Sequence, residues 1–168
     1  GSGVGAPASP RDDYDTMRRA LLANPRVRFS DESKRADVAN GGSGVGGQKV
    51  QLSERMLRML TRLAETHSFT ISSVISTHSD YVAGTTRVSP HKSGRGIDLS
   101  VVDGVHIANS GAGRDKAVQI AYEVMSMPSS YRPSQVSRPQ SAVVTPRNGV
   151  QVFTNSGHND HLHFTQPA

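Results

Sequence analysis

The chain contains no cysteine. Disulfides, thiolate metal ligands and a cysteine nucleophile are therefore excluded, and the fold rests on its core and hydrogen bonds. Tryptophan is also absent, and four tyrosines with four phenylalanines are too few to build a stacking platform for bases or sugars. No apolar run approaches the ~20 residues that a membrane-spanning helix needs. No basic segment followed by an apolar one opens the chain, so no signal peptide is visible. Hydrophobic residues make up only 35% of the 168, while Gly, Ser, Thr and Pro are plentiful. Such a chain is expected to form a single, monomeric domain, with long loops around a modest core.

What is present in excess is positive charge, a formal +5 with a pI near 10.0. A basic balance favours anionic partners such as nucleic acid, an acidic membrane surface or a cell-wall polymer. The cations are spread out, with Arg18 and Arg19 and Arg26 and Arg28 among the densest groups. Without a clustered basic helix or an aromatic platform, nucleic acid is not the expected partner.

Residues 1–11 read as a flexible Gly/Ala/Pro/Ser tail. Residues 12–48 read as a helix followed by a Gly-rich connection, and 49–168 as the core. The first helix is expected over Asp12 to Asn24, capped by Asp12 or Asp13, with Tyr14, Met17, Ala20 and Leu21 along one face and Asn24-Pro25 ending it. Residues 40–47, NGGSGVGG, lack the GK[ST] ending of a phosphate cradle and read as a mobile connection. Ser53 to Thr66 is the clearest helix, with Leu52, Met56, Met59, Leu60 and Leu63 at helical spacing and Glu54 paired with Arg58. Strands are expected at 69–76, 96–102, 105–108, 142–144, 150–154 and 161–165, with Asp103-Gly104 as a hairpin turn and a helix over Arg114 to Met127. The segment 128–140 reads as Pro/Ser-rich loop. The order predicts an α+β fold, a small and largely antiparallel sheet with helices packed on one face.

The seven histidines are unevenly placed. Three fall in 157-GHNDHLHF-164, and His91 lies in 87-RVSPHKSGRGIDLS-100. A catalytic metal site needs three protein ligands and an open position, and neutral imidazole and carboxylate suit zinc. His161 and His163 are two apart on an expected strand, so they share a face. Asp98 alternates with Ile97 and Leu99, which places it opposite the core, where it can meet His163. Gly94 and Gly96 let the loop fold back so that His91 joins them. Asp160 is then within reach as a general base. Spacing alone leaves a second reading open: a solvated histidine-rich end, with Asp98 paired to Arg95 or Lys92. His67, at a helix end, reads as a cation near the last carbonyls. His106 reads as a strand surface residue and His158 as a rim residue.

The segment Ser89 to Asp98, SPHKSGRGID, resembles the SxHxxGxAxD motif of the M15-type peptidoglycan peptidases, with Gly96 in place of the Ala. The sequence Asp160-His161-Leu162-His163 resembles their ExxH signature, with Asp160 for the Glu. His161-Leu162-His163 also resembles the HxH of the wider group that includes lysostaphin-type enzymes, D-Ala-D-Ala peptidases and the hedgehog amino-terminal domain. The resemblance covers roughly residues 50–166. It implies a hedgehog/D-Ala-D-Ala peptidase-like fold and a zinc ion on His91, Asp98 and His163, with Asp160 and His161 catalytic and Ser89 supporting the ligand loop. It also implies action on bacterial cell-wall peptidoglycan by a secreted, phage-delivered or injected enzyme. The arginine that many members carry before the first motif is missing. The stretch Ile75-Ser76-Thr77-His78 takes its place, which makes His78, Arg87 and Arg95 the candidates for holding substrate. The alternative that the resemblance carries is a non-catalytic, hedgehog-like zinc module that binds a partner.

Overall fold

The computed structural model describes residues 10–168, apart from Thr77 and Asn155; the expected tail lies almost wholly outside the described residues. Helix α1 (Pro10–Ala23) begins two residues before the expected start and ends at Asn24-Pro25. Tyr14 and Leu21 are buried and Met17 is partly buried, but Ala20 faces solvent. Strand β1 (Val27–Phe29) follows, then α2 (Glu32–Asn40), capped by Asp31, whose carboxylate accepts the Ser33 N–H at 3.0 Å. Neither element was expected. Strand β1 is three residues long, and α2 is polar nearly all round, burying only Asp37 and Val38, so neither writes an apolar period.

The Gly-rich stretch is folded rather than a free connection. Strands β2 (Gly42–Ser43) and β3 (Lys49–Val50) form a small antiparallel hairpin. Helix α3 (Glu54–Leu63) is capped by Ser53, whose hydroxyl accepts the Met56 N–H. It buries Met56, Leu57, Met59, Leu60 and Leu63, and Glu54 and Arg58 pair at 2.7 Å as its spacing requires.

The remaining strands are β4 (Phe69–Ser73), β5 (Gly96–Val102), β6 (Val105–His106), β7 (Gln135–Ser137), β8 (Gln151–Phe153) and β9 (Leu162–Thr165), with α4 (Gly111–Met125) between β6 and β7. With β1 they form a seven-stranded sheet of order β1-β4-β5-β9-β7-β8, and β6 also pairs with β5. The class is α+β, but the sheet is mixed: β1 runs parallel to β4 and β7 parallel to β8. The turn from β5 to β6 uses positive φ at both Asp103 and Gly104, the demand that makes Asp-Gly a hairpin turn.

Two expected strands differ for identifiable reasons. Strand β4 stops at Ser73 because the Ile75 and Ser76 N–H groups donate to the Asp37 carboxylate instead of to a neighbouring strand. Residues 142–144 alternate buried, exposed, buried, yet side chains rather than a strand take the backbone N–H groups around them. Ser141 N–H donates to Asn109 and Thr145 N–H to the Tyr122 hydroxyl. Conversely, β7 hides in the Pro/Ser-rich segment. The His67 ring lies 2.6 Å from both the Asp103 and the Glu123 carboxylates, and only its backbone N–H donates to α3, at the Leu63 carbonyl; His106 is exposed on β6.

The core lies on one face of the central strands, where Ile97 pairs with Phe164, Leu99 with Leu162 and Val136 with Phe164, all fully buried. Phe164→Ala should therefore cost about 3–5 kcal/mol of stability. Val143→Ala, at an exposed position, should stay within about 0.5 kcal/mol. Urea unfolding of both variants checks the assignment of the core.

Candidate metal centre

Opposite the core, the same strands carry polar groups. Asp98 of β5 pairs with His163 of β9, and His163 in turn pairs with Ser137 of β7. Directly paired residues in antiparallel strands point to the same side, so the alternation that sends Ile97, Leu99, Leu162 and Phe164 into the core sends Asp98 and His163 together to the other face. His91 reaches them from a 3-10 turn, Pro90–Ser93, that folds back beside the start of β5.

Two glycines make that return possible. Gly94 has φ +73, and a Cβ there would lie 2.2 Å from the Gln51 carbonyl oxygen. At Gly96 a Cβ would meet the His91 backbone nitrogen at 2.8 Å and the His163 ring at 3.0 Å. The first glycine turns the loop and the second leaves room for two rings to converge on one strand.

His91 Nε2, Asp98 Oδ1 and His163 Nδ1 form a triangle with sides of 3.1, 2.8 and 3.2 Å. The three residues are only 2%, 8% and 9% exposed. Each imidazole is held by its other nitrogen: His91 Nδ1 lies 2.8 Å from the Val74 carbonyl oxygen, and His163 Nε2 lies 2.7 Å from Thr165 Oγ1. With the ring N–H groups donated outward, lone pairs of both rings and of the carboxylate converge on one point. Such an arrangement needs a proton or a cation between the atoms, and outward hydrogen bonds of this kind orient metal-binding histidines. The triad can hold a metal ion.

The other expected site residues fall into three groups. His161 is at the rim, with Nε2 3.6 Å from Asp98 Oδ2 and Nδ1 2.8 Å from Asp160 Oδ1. The Asp160 side chain is 88% exposed and meets His161 rather than the triad. His78 stacks on His91 with ring centroids 4.1 Å apart, and Ser89, buried, lies 3.1 Å from His78 Nδ1. Ser89 thus backs the His91 loop through His78. The two arginines are elsewhere. Arg95 is committed to Ser93 Oγ and the Gln166 carbonyl, a structural clamp, and Arg87 is exposed on the loop between Tyr81 and Val88.

Several contributors carried little or no signal in the sequence. Val74 acts through its backbone carbonyl, which no side-chain pattern reports. Thr165 shares the face of His163 two residues on, a spacing that was open to inspection. Lys92 is 6% exposed and donates to the Ser43 and Ser76 carbonyls. His158 is closer in than a rim residue, its ring 5.1 Å from that of His161 and parallel to that of His163.

The electrostatics follow the burial. At Asp98 burial alone would raise the carboxyl, but the His163 and His91 rings beside it outweigh burial and hold the group well below the usual carboxylate range. Burial lowers His78, helped by nearby His91, and lowers His158 to about 4, helped by His161. Burial also lowers His163, against the opposing pull of Asp98.

Two tests follow from this geometry. In metal-free protein the unfolded chain takes up protons on these histidines near pH 6.5, while the folded chain holds His78, His158 and His163 neutral to lower pH. Stability therefore falls as pH drops below about 6.5, and thermal unfolding between pH 7.5 and 5 should show it. Asp98 acts in the same direction, but only below about pH 4. Gly94→Ala should cost about 2 kcal/mol or more through forced positive φ and the clash with Gln51, and calorimetry of that variant tests the loop geometry.

Compared with protein-family models, curated proteins and solved structures, the chain has no match in any of the three.

Proposed function

We propose that the protein is a zinc-dependent peptidase acting on the stem peptides of bacterial peptidoglycan. The observation that carries this reading is His161 beside a convergent His91–Asp98–His163 triad: three ligands for a metal, and next to them a base whose outer nitrogen is already tied to a carboxylate. Two imidazoles and one carboxylate form the donor set of a catalytic rather than a closed zinc site. Ligands about 2.0–2.1 Å from a tetrahedral zinc are roughly 3.3 Å apart, close to the separations in the triad. The order of the two motifs along the chain supports the same family of reactions, and a hedgehog/D-Ala-D-Ala peptidase-like fold is part of the same proposal. Zinc, when bound, would polarise a carbonyl and lower the pKa of water from about 15.7 towards about 7.

The chain's own residues supply the proton handling. The His161 Nδ1–H donates to Asp160, which leaves the Nε2 lone pair facing the triad. His161 Nε2 accepts the proton released as water attacks the scissile carbonyl, then returns it to the leaving amine. Asp160 fixes the tautomer and steadies the protonated ring, so it serves as a positioning residue rather than as the base itself. His78, beside His91, and His158, beside His161, are the imidazoles placed to donate to the carbonyl oxygen as charge develops there. The basic surface favours encounter with an anionic wall.

Purified cell walls digested with the zinc-loaded protein should release peptide-cleaved muropeptides, identified by mass spectrometry, and a chelator should abolish the reaction until zinc is restored. His161→Ala should lower turnover by about 10²–10⁴-fold with zinc still bound. Asp160→Ala should lower it less than His161→Ala does and should move the pH profile. Zinc bound tightly without any release of peptides would instead identify a non-catalytic, hedgehog-like module that binds a partner.

A further inference from the structure

The helix α2 segment lies outside the two motifs, yet it touches the metal site through a single peptide group. Asp37 is buried on α2, and its Oδ2 accepts the Ile75 N–H at 3.0 Å and the Ser76 N–H at 2.8 Å. Its Oδ1 accepts the Ser76 hydroxyl at 2.6 Å. The Val74 carbonyl, the other end of the peptide that carries the Ile75 N–H, accepts from His91 Nδ1 at 2.8 Å. In a trans peptide the C=O and N–H point in opposite directions and share one delocalised unit. Asp37 and His91 therefore sit at the two ends of one peptide dipole.

We infer that Asp37 is a positioning residue for the metal ligand His91, acting through the Val74–Ile75 peptide. Metal-binding histidines commonly donate their second N–H to a carboxylate, which fixes the ring and raises its basicity. Here the carboxylate is one peptide removed. Its negative charge at the N–H end polarises the unit and makes the Val74 oxygen a stronger acceptor, as successive hydrogen bonds in a chain reinforce one another. Neighbouring contacts keep the unit still. Ser76 Oγ also accepts the Ser43 N–H, and Lys92, the residue after His91, donates from its ammonium to the carbonyls of Ser43 and Ser76. The hairpin β2–β3 and helix α2 thus fix from behind the ligand that the 3-10 turn presents from the front.

The inference rests on the triad holding a metal, and its test separates the two. Zinc affinity is measured by competition with a chromophoric chelator on the full chain, and the His91 Nδ1–H proton shift is read by NMR. Asp37→Asn keeps the shape and removes the charge. It should weaken zinc binding about tenfold and move the His91 Nδ1–H resonance upfield. Val124→Ala, a core deletion in α4 with no part in the network, should lower stability without either change. Equal zinc affinity and an unmoved resonance in Asp37→Asn would overturn the inference. If that variant does not fold, the wild type decides: zinc loading should shift the Asp37 carboxyl carbon resonance and leave that of Asp31 in place, and an unmoved Asp37 signal sinks the idea. A wild-type chain that binds no zinc removes the metal reading and this inference with it.

Discussion

Asp98 and His163 face each other across the β5–β9 ladder, and nearly everything else in the molecule follows from that pairing. The strands have a period of two, so one alternation assigns both the core and the site. A slip of one residue would expose Ile97 and Leu99 and bury the carboxylate among apolar side chains. The triad is thus protected by the hydrophobic core itself: the register that fills the core is also the one that brings Asp98 and His163 together. His91 is the one member of the triad that this logic does not place, and it needs Gly94, Gly96 and the peptide of Val74 to be brought in.

How much of this was legible depended on whether the controlling feature lay in side chains and nearby in sequence. The strand Gly96–Val102 and the helix from Glu54 could be read directly, because Ile97, Asp98 and Leu99 alternate and Met56, Met59, Leu60 and Leu63 repeat at helical spacing. The three triad residues were readable for the same reason, aided by the glycine spacing between His91 and Asp98. Helix α2 was not, because its role is polar and its partners distant, and β7 was not, because three residues within a Pro/Ser-rich segment write no period. Asp37 on α2 looks like one acid among several until the backbone of Ile75 and Ser76 is seen to turn towards it. Residues 142–144 misled in the opposite sense: their alternation was real, but Asn109 and Tyr122 supplied the hydrogen bonds that a neighbouring strand would have made.

The same distinction separates the triad from the groups around it. Asp160 reads from the chain as a base three residues before a ligand. In space it stands behind His161, because His161 precedes β9 and turns its ring between Asp160 and Asp98. Arg95 reads as a cation beside the motif, but it spends its guanidinium on the turn and on the Gln166 carbonyl. Spacing identified which residues are near the site, whereas the partner that each polar atom had already taken could be seen only in space.

Strand β9 lies in the middle of the sheet although it is the last strand in the chain. Its neighbours β5 and β7 come earlier and cannot be joined until it is inserted between them. Without β9 the sheet is two fragments with an unfilled central slot and exposed apolar strand faces of the kind that aggregate. Leu162–Thr165 closes the sheet and supplies His163 with the same residues. The triad is therefore complete only when the sheet is.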